Sequence, residues 1–146
     1  MIGVIDYGMG NLGSVVNALE YIGAEARLIE RREEADRCSA LILPGVGAFG
    51  DCMSHLEEHG YKEMISEWIS AGRPLMGICL GLQVLFGSSE ESPNVNGLGV
   101  FEGSVKRFDL SAELKVPQIG WNRVEALQSD CPMFAGIEPN THFYLV

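Results

Sequence analysis

Four short, mainly apolar segments alternate with segments of helical periodicity and constrain the fold of this 146-residue chain most strongly. The apolar segments are IGVID at 2–6, EARLIE at 25–30, ALILP at 40–44 and RPLMGI at 73–78. Apolar strands of this kind are typical of parallel sheets that are covered on both faces. Apolar residues at helical spacing predict two intervening helices: Leu12, Val15, Val16, Leu19 and Ile22, then Tyr61, Met64, Ile65, Trp68 and Ile69. The sequence therefore predicts an α/β fold with an open, mainly parallel sheet and helices on both faces.

The apolar segments are shorter and more widely interrupted in the second half of the chain. Shorter apolar runs are separated by Gly, Ser and Pro: GLGVF at 97–101, SVKRF at 104–108 and VPQIGW at 116–121. Such runs predict strand pairs or an antiparallel extension of the sheet. The charged segment at 30–37 is predicted to be a solvated loop or helix face. Because no repeat or linker interrupts the chain, we expect one domain over 1–146.

Composition narrows the classes of function. The 20 acidic and 10 basic residues give a formal net charge of −10, which argues against nucleic acid as a partner. No apolar run approaches the ~20 residues of a membrane span, so no membrane role is expected. The four cysteines are scattered without CxxC spacing, which disfavours zinc and disulfides and fits a reducing cytoplasm. We expect no metal and no cofactor, and three of the four cysteines to be buried.

The sequence GICLG at 77–81 has the form of a nucleophile elbow with cysteine in place of serine. Cys79 follows a predicted strand and precedes a helical, apolar segment. Side chains at Gly77 and Gly81 are expected to collide with the neighbouring strand and helix. A helix N-terminus directed at the sulfur favours the reactive thiolate, and the N–H of Leu80 is free to stabilise an oxyanion. Cys79 is therefore a candidate nucleophile.

A second oxyanion donor is expected from another loop. The segment LILPGVGAFGD at 41–51 ends the third predicted strand, and its glycines allow the backbone to turn an N–H toward a ligand. The alternative is that Gly45, Gly47 and Gly50 only form a tight turn.

The general base is not evident from the three histidines. His55 and His59 have the i, i+4 spacing of a metal pair, but their acidic segment is more typical of a solvated helix end. His142 begins the last apolar run and therefore lies at the start of a strand. A cysteine acyl-transfer enzyme needs a base that a third group orients, and none of these histidines is assigned that role.

The ordered motifs resemble a known family. PGVGAFGD together with GICLGLQVLF resembles the class I (triad) glutamine amidotransferases. Further stretches resemble one branch of it, the glutaminase subunits of imidazole glycerol phosphate synthase: IDYGMGNLGSV, SSEESPNVNGLGVFEG, VPQIGWNRV and HFYLV. The resemblance runs collinearly over residues 1–146, and it implies a flavodoxin-like glutaminase fold.

The resemblance also implies an activity. Cys79 attacks the carboxamide of glutamine, and ammonia passes to a (β/α)8-barrel cyclase that makes imidazole glycerol phosphate and an aminoimidazole carboxamide ribotide for histidine biosynthesis. Val46 and Gly47 are implied to form the oxyanion hole with Leu80. Gln83 and Glu91 are implied to hold glutamine; a helix-face residue and a solvated loop acid are the alternatives.

The resemblance places three residues near the partner subunit: Asn11, Trp121 and Asn122. Trp121 has a core position as its alternative. Family members continue beyond HFYLV into His-Ser-Tyr and a later His-x-Glu pair, so we expect 1–146 to be a C-terminally incomplete and inactive glutamine amidotransferase type-1 domain. Two other functions stay open: a cysteine hydrolase or redox-sensing protein with a similar elbow, and a non-catalytic cyclase-binding remnant.

Overall fold

Four parallel strands form the central sheet of the first structural unit, residues 1–107. The strands are β1 (Ile2–Ile5), β2 (Ala26–Ile29), β3 (Ala40–Gly45) and β4 (Leu75–Cys79), in the order β2-β1-β3-β4. The computed structural model describes residues 1–109, 116–128 and 130–145. Strand order and direction match the flavodoxin-like arrangement, so the predicted α/β fold is confirmed.

Helices cover both faces of this sheet. Helix α1 (Leu12–Tyr21) packs on one face, where Val4 and Ile42 meet Leu19. Helices α2 (Phe49–Glu58) and α3 (Tyr61–Ser70) cover the other face with a larger core. The alternation arises because successive strand residues point to opposite faces.

Two details of the predicted helices differ from the structure. Ile22 is 72% exposed because α1 ends at Tyr21 and the chain turns away at Gly23, whose φ is +75°. The segment containing His55 and His59, expected to be a solvated helix end, belongs to the ten-residue α2 and its end. Its apolar residues at i, i+3, i+4 and i+7 are buried against the sheet: Phe49, Cys52, Met53 and Leu56.

The chain beyond β4 forms a single turn of helix, α4 (Leu80–Gln83), and then a second, two-stranded sheet. Strands β5 (Phe86–Ser89) and β6 (Phe101–Val105) form one of the strand pairs that the sequence predicts for this part of the chain, and the two strands are parallel. The intervening loop returns the chain to the start of β5, where the Leu98 N–H donates to the Val84 carbonyl at 2.7 Å. The charged segment forms an exposed 3-10 helix over Arg32–Arg37 with Ala35 buried.

The second unit, residues 108–146, contains an antiparallel pair of strands. Strand β7 (Gly120–Arg123) pairs with β8 (His142–Leu145), as the sequence predicts for this part of the chain. The rings of Trp121 and Tyr144 pack edge to face with centroids 5.5 Å apart. Val146, the last residue of the predicted strand HFYLV, lies outside the described residues.

Across the described ranges, no helix has the length and apolar character needed to cross a membrane.

Candidate active site

Cys79 occupies a sharp turn between β4 and α4. It is the last residue of β4 and the N-cap of α4, with φ 55° and ψ −118°. A non-glycine residue in such a conformation costs on the order of 1–3 kcal/mol and persists only when its surroundings enforce it. The side chain is exposed. The geometry is therefore that of a nucleophile elbow presenting a thiol to solvent.

Glycines enforce the turn on both sides of Cys79. A Cβ atom on Gly77 would lie 2.5 Å from the Leu82 Cα, and one on Gly81 would overlap the Leu43 carbonyl oxygen. A Cβ on Gly45 would lie 2.6 Å from the Gly81 amide nitrogen. Because every one of these neighbours is backbone, the expected collisions with strand and helix are present. Helix and strands can meet closely at Cys79 only through residues without side chains.

The end of β3 brings the predicted oxyanion segment beside the nucleophile. Gly45 is paired with Cys79 in the parallel ladder, and Val46 and Gly47 follow directly and are exposed. Gly47 has a φ of +87°, which allows the backbone to turn there. Leu80 begins α4, so its N–H has no carbonyl within the helix to bond. The end of β3 thus lies beside Cys79, with Val46 and Gly47 next along the chain and Leu80 directly after the thiol residue.

The buried Tyr7 contacts the end of β3, and the sequence analysis did not single it out. The Tyr7 hydroxyl donates to the Pro44 carbonyl at 2.7 Å and lies 3.2 Å from the Cys52 Sγ. Burial raises the pKa of Tyr7 far above its ordinary value, so the phenol remains a hydrogen-bond donor. The only signal in the sequence was an aromatic residue immediately after the first strand.

Gln83 and Glu91, the predicted substrate-holding residues, line the same surface cavity of about 520 Å³. Its other lining residues are Ser89, Glu90, Val105, Lys106 and Arg107. Glu91 is exposed, and its Oε2 accepts a hydrogen bond from the Phe49 N–H at 2.9 Å. The cavity therefore brings together an amide and acidic and basic groups of the kind that bind a zwitterionic amino acid.

The four cysteines differ in access. Cys38 and Cys52 are buried, and burial raises the pKa of both thiols. Cys131 is half-buried, so the expectation of three buried cysteines holds for two of them. Cys79 is exposed.

The histidines have contacts of their own. His55 Nδ1 lies 3.2 Å from the Tyr7 carbonyl oxygen, and His59 Nδ1 lies 2.9 Å from the His55 carbonyl oxygen. His142 begins β8, as its sequence position predicts. Among the described residues, no cluster of three or more His, Cys, Asp or Glu side chains is suited to a metal ion.

The residues predicted to face a partner lie in both units. In the first unit, Asn11 Oδ1 accepts from the Ser14 N–H at 3.3 Å and caps α1. In the second unit, Asn122 Nδ2 donates to the Gly120 carbonyl at 3.3 Å, and Trp121 is 68% exposed. The exposure of Trp121 contradicts the alternative in which it is a core residue.

Fold and elbow together define an α/β protein with a cysteine at the carboxyl edge of a parallel sheet. The sequence model of the family described as glutamine amidotransferase class-I matches residues 3–143. The chain therefore belongs to the class-I glutamine amidotransferase family.

Individual relatives agree with this family. The imidazole glycerol phosphate synthase subunit HisH of Wolinella succinogenes is 44% identical, over 100% of this chain and 72% of that protein. The protein with the same description from Sulfurimonas denitrificans is 45% identical, over 100% of this chain and 71% of its own length. A glutamine amidotransferase crystal structure superposes with a TM-score of 0.65 at 25% identity. That match covers 85% of this chain and 62% of the solved one.

Proposed function

We propose that this chain is a glutaminase that hydrolyses glutamine to glutamate and ammonia for a cyclase subunit making imidazole glycerol phosphate. Relatives of 44–45% identity along the whole chain are described as subunits of imidazole glycerol phosphate synthase. The single observation that carries the proposal is the strained, exposed Cys79 beside the end of β3. Strain of this kind at a strand end is characteristic of functional sites.

The proposed reaction proceeds through a thioester. The Cys79 thiolate adds to the carboxamide carbon, and the developing oxyanion accepts hydrogen bonds from the N–H groups of Leu80 and of Val46 or Gly47. The C–N bond then breaks, and ammonia leaves after its nitrogen has gained a proton. Water adds to the thioester, which releases glutamate and restores the thiol.

The proton that the departing nitrogen gains needs a general acid. His55 and His59 make the backbone contacts described above, and within the part of the chain that the structure describes no hydrogen bond joins a histidine to Cys79. Acid–base assistance of this kind is worth roughly 10²–10⁴-fold. The nucleophile and the oxyanion donors alone therefore do not account for a complete glutaminase mechanism.

Gln83 and Glu91 are proposed to hold the amino-acid end of glutamine. The Glu91 Oε2 is occupied by the Phe49 N–H, which leaves Oε1 to pair with the substrate ammonium group. The Gln83 amide can donate to the α-carboxylate or accept from the ammonium group. The two residues line one cavity, but Cys79 is not among the described residues that line it, so the assignment rests on the family resemblance.

The proposed partner is a (β/α)8-barrel cyclase, which this chain joins in a cytoplasmic heterodimer. Asn11, Trp121 and Asn122 are proposed to contact it. An exposed tryptophan fits this role, because aromatic residues are enriched at protein interfaces.

The proposal is tested at the full length of the two relatives named above, of which this chain spans 72% and 71%, by combining that protein with the cyclase and its nucleotide substrate. We expect glutamate to form with glutamine as the ammonia source, and Cys79→Ala to abolish it. Free ammonia should restore cyclisation in the variant complex, because only the supply of ammonia is lost. Cys131→Ala is the matched control and should retain activity. Glutamate production no higher than that of Cys79→Ala would contradict the proposal.

The same assay separates the alternatives. A cysteine hydrolase or redox-sensing protein would show reactive thiol chemistry without glutamine-dependent product. A non-catalytic cyclase-binding remnant would co-purify with the cyclase but would form no glutamate.

A further inference from the structure

The N-terminus of α2 is capped by residues that are 42 positions away in the sequence. Ala48, the N-cap residue, has no side chain able to bond the first helical amides. Instead Glu91 Oε2 accepts from the Phe49 N–H at 2.9 Å, and Ser92 Oγ accepts from the Gly50 N–H at 3.1 Å. The first amides of a helix need such external acceptors. We call this pair of acceptors the 91–92 clamp.

The 91–92 clamp is held in place by its own loop. The Glu91 N–H donates to the Ser89 Oγ at 3.2 Å, and the Val95 N–H donates to the Ser92 carbonyl at 3.0 Å. Gly50 permits the close approach, since a Cβ there would lie 3.1 Å from the Ser92 Oγ. The clamp is therefore a fitted contact between the loop and α2.

Only residues 46–48 separate the 91–92 clamp from the strand ladder beside the nucleophile. On one side, Gly45 is paired with Cys79. On the other side, Phe49 and Gly50 are held by the clamp. A three-residue segment fixed at both ends has few backbone conformations available. This segment carries the two proposed oxyanion donors, Val46 and Gly47.

We propose that Ser92 is a positioning residue that, together with Glu91, orients the 46–48 segment toward the oxyanion formed at Cys79. This inference rests on the proposed function, because it concerns the same reaction. The loop that holds the substrate amino group through Glu91 also fixes the start of α2. Binding of the amino acid and alignment of the oxyanion donors thus share one structural support.

A role in helix stability alone is the competing explanation, and two reagents distinguish it. A chloroketone analogue of glutamine reacts with the thiolate by forming a C–S bond and releasing chloride, and addition at its carbonyl places an oxyanion in the site. Iodoacetamide reacts by direct displacement of iodide and has no such oxyanion. The ratio of the two rate constants at Cys79 therefore reports on positioning and is insensitive to simple exposure of the thiol.

The experiment uses the chain in complex with the cyclase. Ser92→Ala removes one acceptor, and Ser92→Thr should restore it. Ser66→Ala is the matched control, since the Ser66 hydroxyl donates to the Lys62 carbonyl on α3, at the surface. Gly50→Ala disturbs the clamp from the opposite side while keeping Ser92 intact. In each variant, amide hydrogen exchange at Phe49 and Gly50 is measured alongside the two rates.

Loss of a cap shifts a local equilibrium by a modest factor, so we expect Ser92→Ala to lower the ratio about three- to tenfold and to speed exchange at residues 49–50. Gly50→Ala should lower the ratio as well, although alanine favours the helix. Ser66→Ala should leave both readouts unchanged. Ser92→Thr should return both toward the values of the unsubstituted chain.

Two results would overturn the inference. An unchanged ratio in Ser92→Ala with faster exchange would show a cap without a positioning role, and unchanged exchange would show that Ser92 does not hold the helix. Failure of the proposed function looks different. In that case the unsubstituted chain itself would show a ratio no higher than that of free cysteine, and the inference would fall with it.

Discussion

Replacing Gly81 with alanine tests whether backbone contact determines the elbow. Helix propensity alone predicts that Gly→Ala stabilises a helical position by roughly 0.5–1 kcal/mol. In the structure, however, the added Cβ would overlap the Leu43 carbonyl oxygen and lie 2.8 Å from its carbon. Ordinary C···O contacts are about 3.3–3.6 Å, so α4 and β3 must separate. We expect Gly81→Ala to lower the free energy of unfolding by about 3 kcal/mol, the upper end of the typical cost of inserting extra atoms into a packed core.

Urea unfolding measures this change in the free energy of unfolding, and Gly13→Ala is the matched control. Gly13 also lies in a helix, but a Cβ there meets nothing within 4 Å. Trp68 is buried in the first unit, so a Trp121→Phe background makes fluorescence report on that unit. With an m-value of about 2 kcal/mol/M, Gly81→Ala should lower the midpoint by about 1.5 M. A midpoint at or above that of the parent chain would refute the reasoning.

Three other predictions concern thiol access, alkaline stability and partner dependence. Limited iodoacetamide treatment should label Cys79 first and the half-buried Cys131 next. Cys38 and Cys52 should be labelled last, because burial excludes the reagent and raises the pKa of both thiols. Peptide mapping measures the labelling, and equal labelling of all four cysteines would contradict this order. Burial raises the pKa of Tyr61 from 10.0 to about 12. As pH rises, the unfolded chain therefore releases the Tyr61 proton before the folded chain does, so the free energy of unfolding should fall between pH 10 and pH 12. The urea midpoint of Tyr61→Phe should fall less steeply with pH over this range than that of the parent chain. The same dependence on pH in both proteins would count against the buried Tyr61 as the cause. Adding the cyclase with its nucleotide ligand should raise the turnover number for glutamine more than it raises the affinity for glutamine, because partner docking can select one orientation of the segment after β3. Steady-state kinetics measures both quantities. An unchanged turnover number would exclude activation of this segment by the partner.

The central sheet and the elbow could be predicted because their signals are local. Apolar strands, helical spacing and glycines at fixed offsets from Cys79 depend on residues a few positions apart. Helix α2 was harder to recognise, because acidic residues surround its buried face. Its apolar residues nevertheless had the spacing of an amphipathic helix, with Phe49 and Leu56 at its limits.

Features that depend on distant contacts could not be predicted. The direction of β6 relative to β5 is set by the return path of the loop between them, which periodicity does not encode. Glu91 stays a predicted substrate-binding residue, and it lines a cavity with Gln83. Its hydrogen bond to the Phe49 N–H was invisible in the sequence, because a carboxylate gives no local indication of a partner 42 residues away.

The glycine contacts around Cys79 also limit how this site can change by mutation. Gly45, Gly77 and Gly81 belong to β3, β4 and α4, and each faces the backbone of another element. A larger side chain at one position cannot be compensated by a smaller one at its neighbour, because the nearest contacting atoms are backbone atoms that no substitution removes. Mutational libraries aimed at new substrates should therefore keep these three codons fixed. Diversity is better placed at cavity-lining positions such as Gln83 and Arg107, whose side chains border open space.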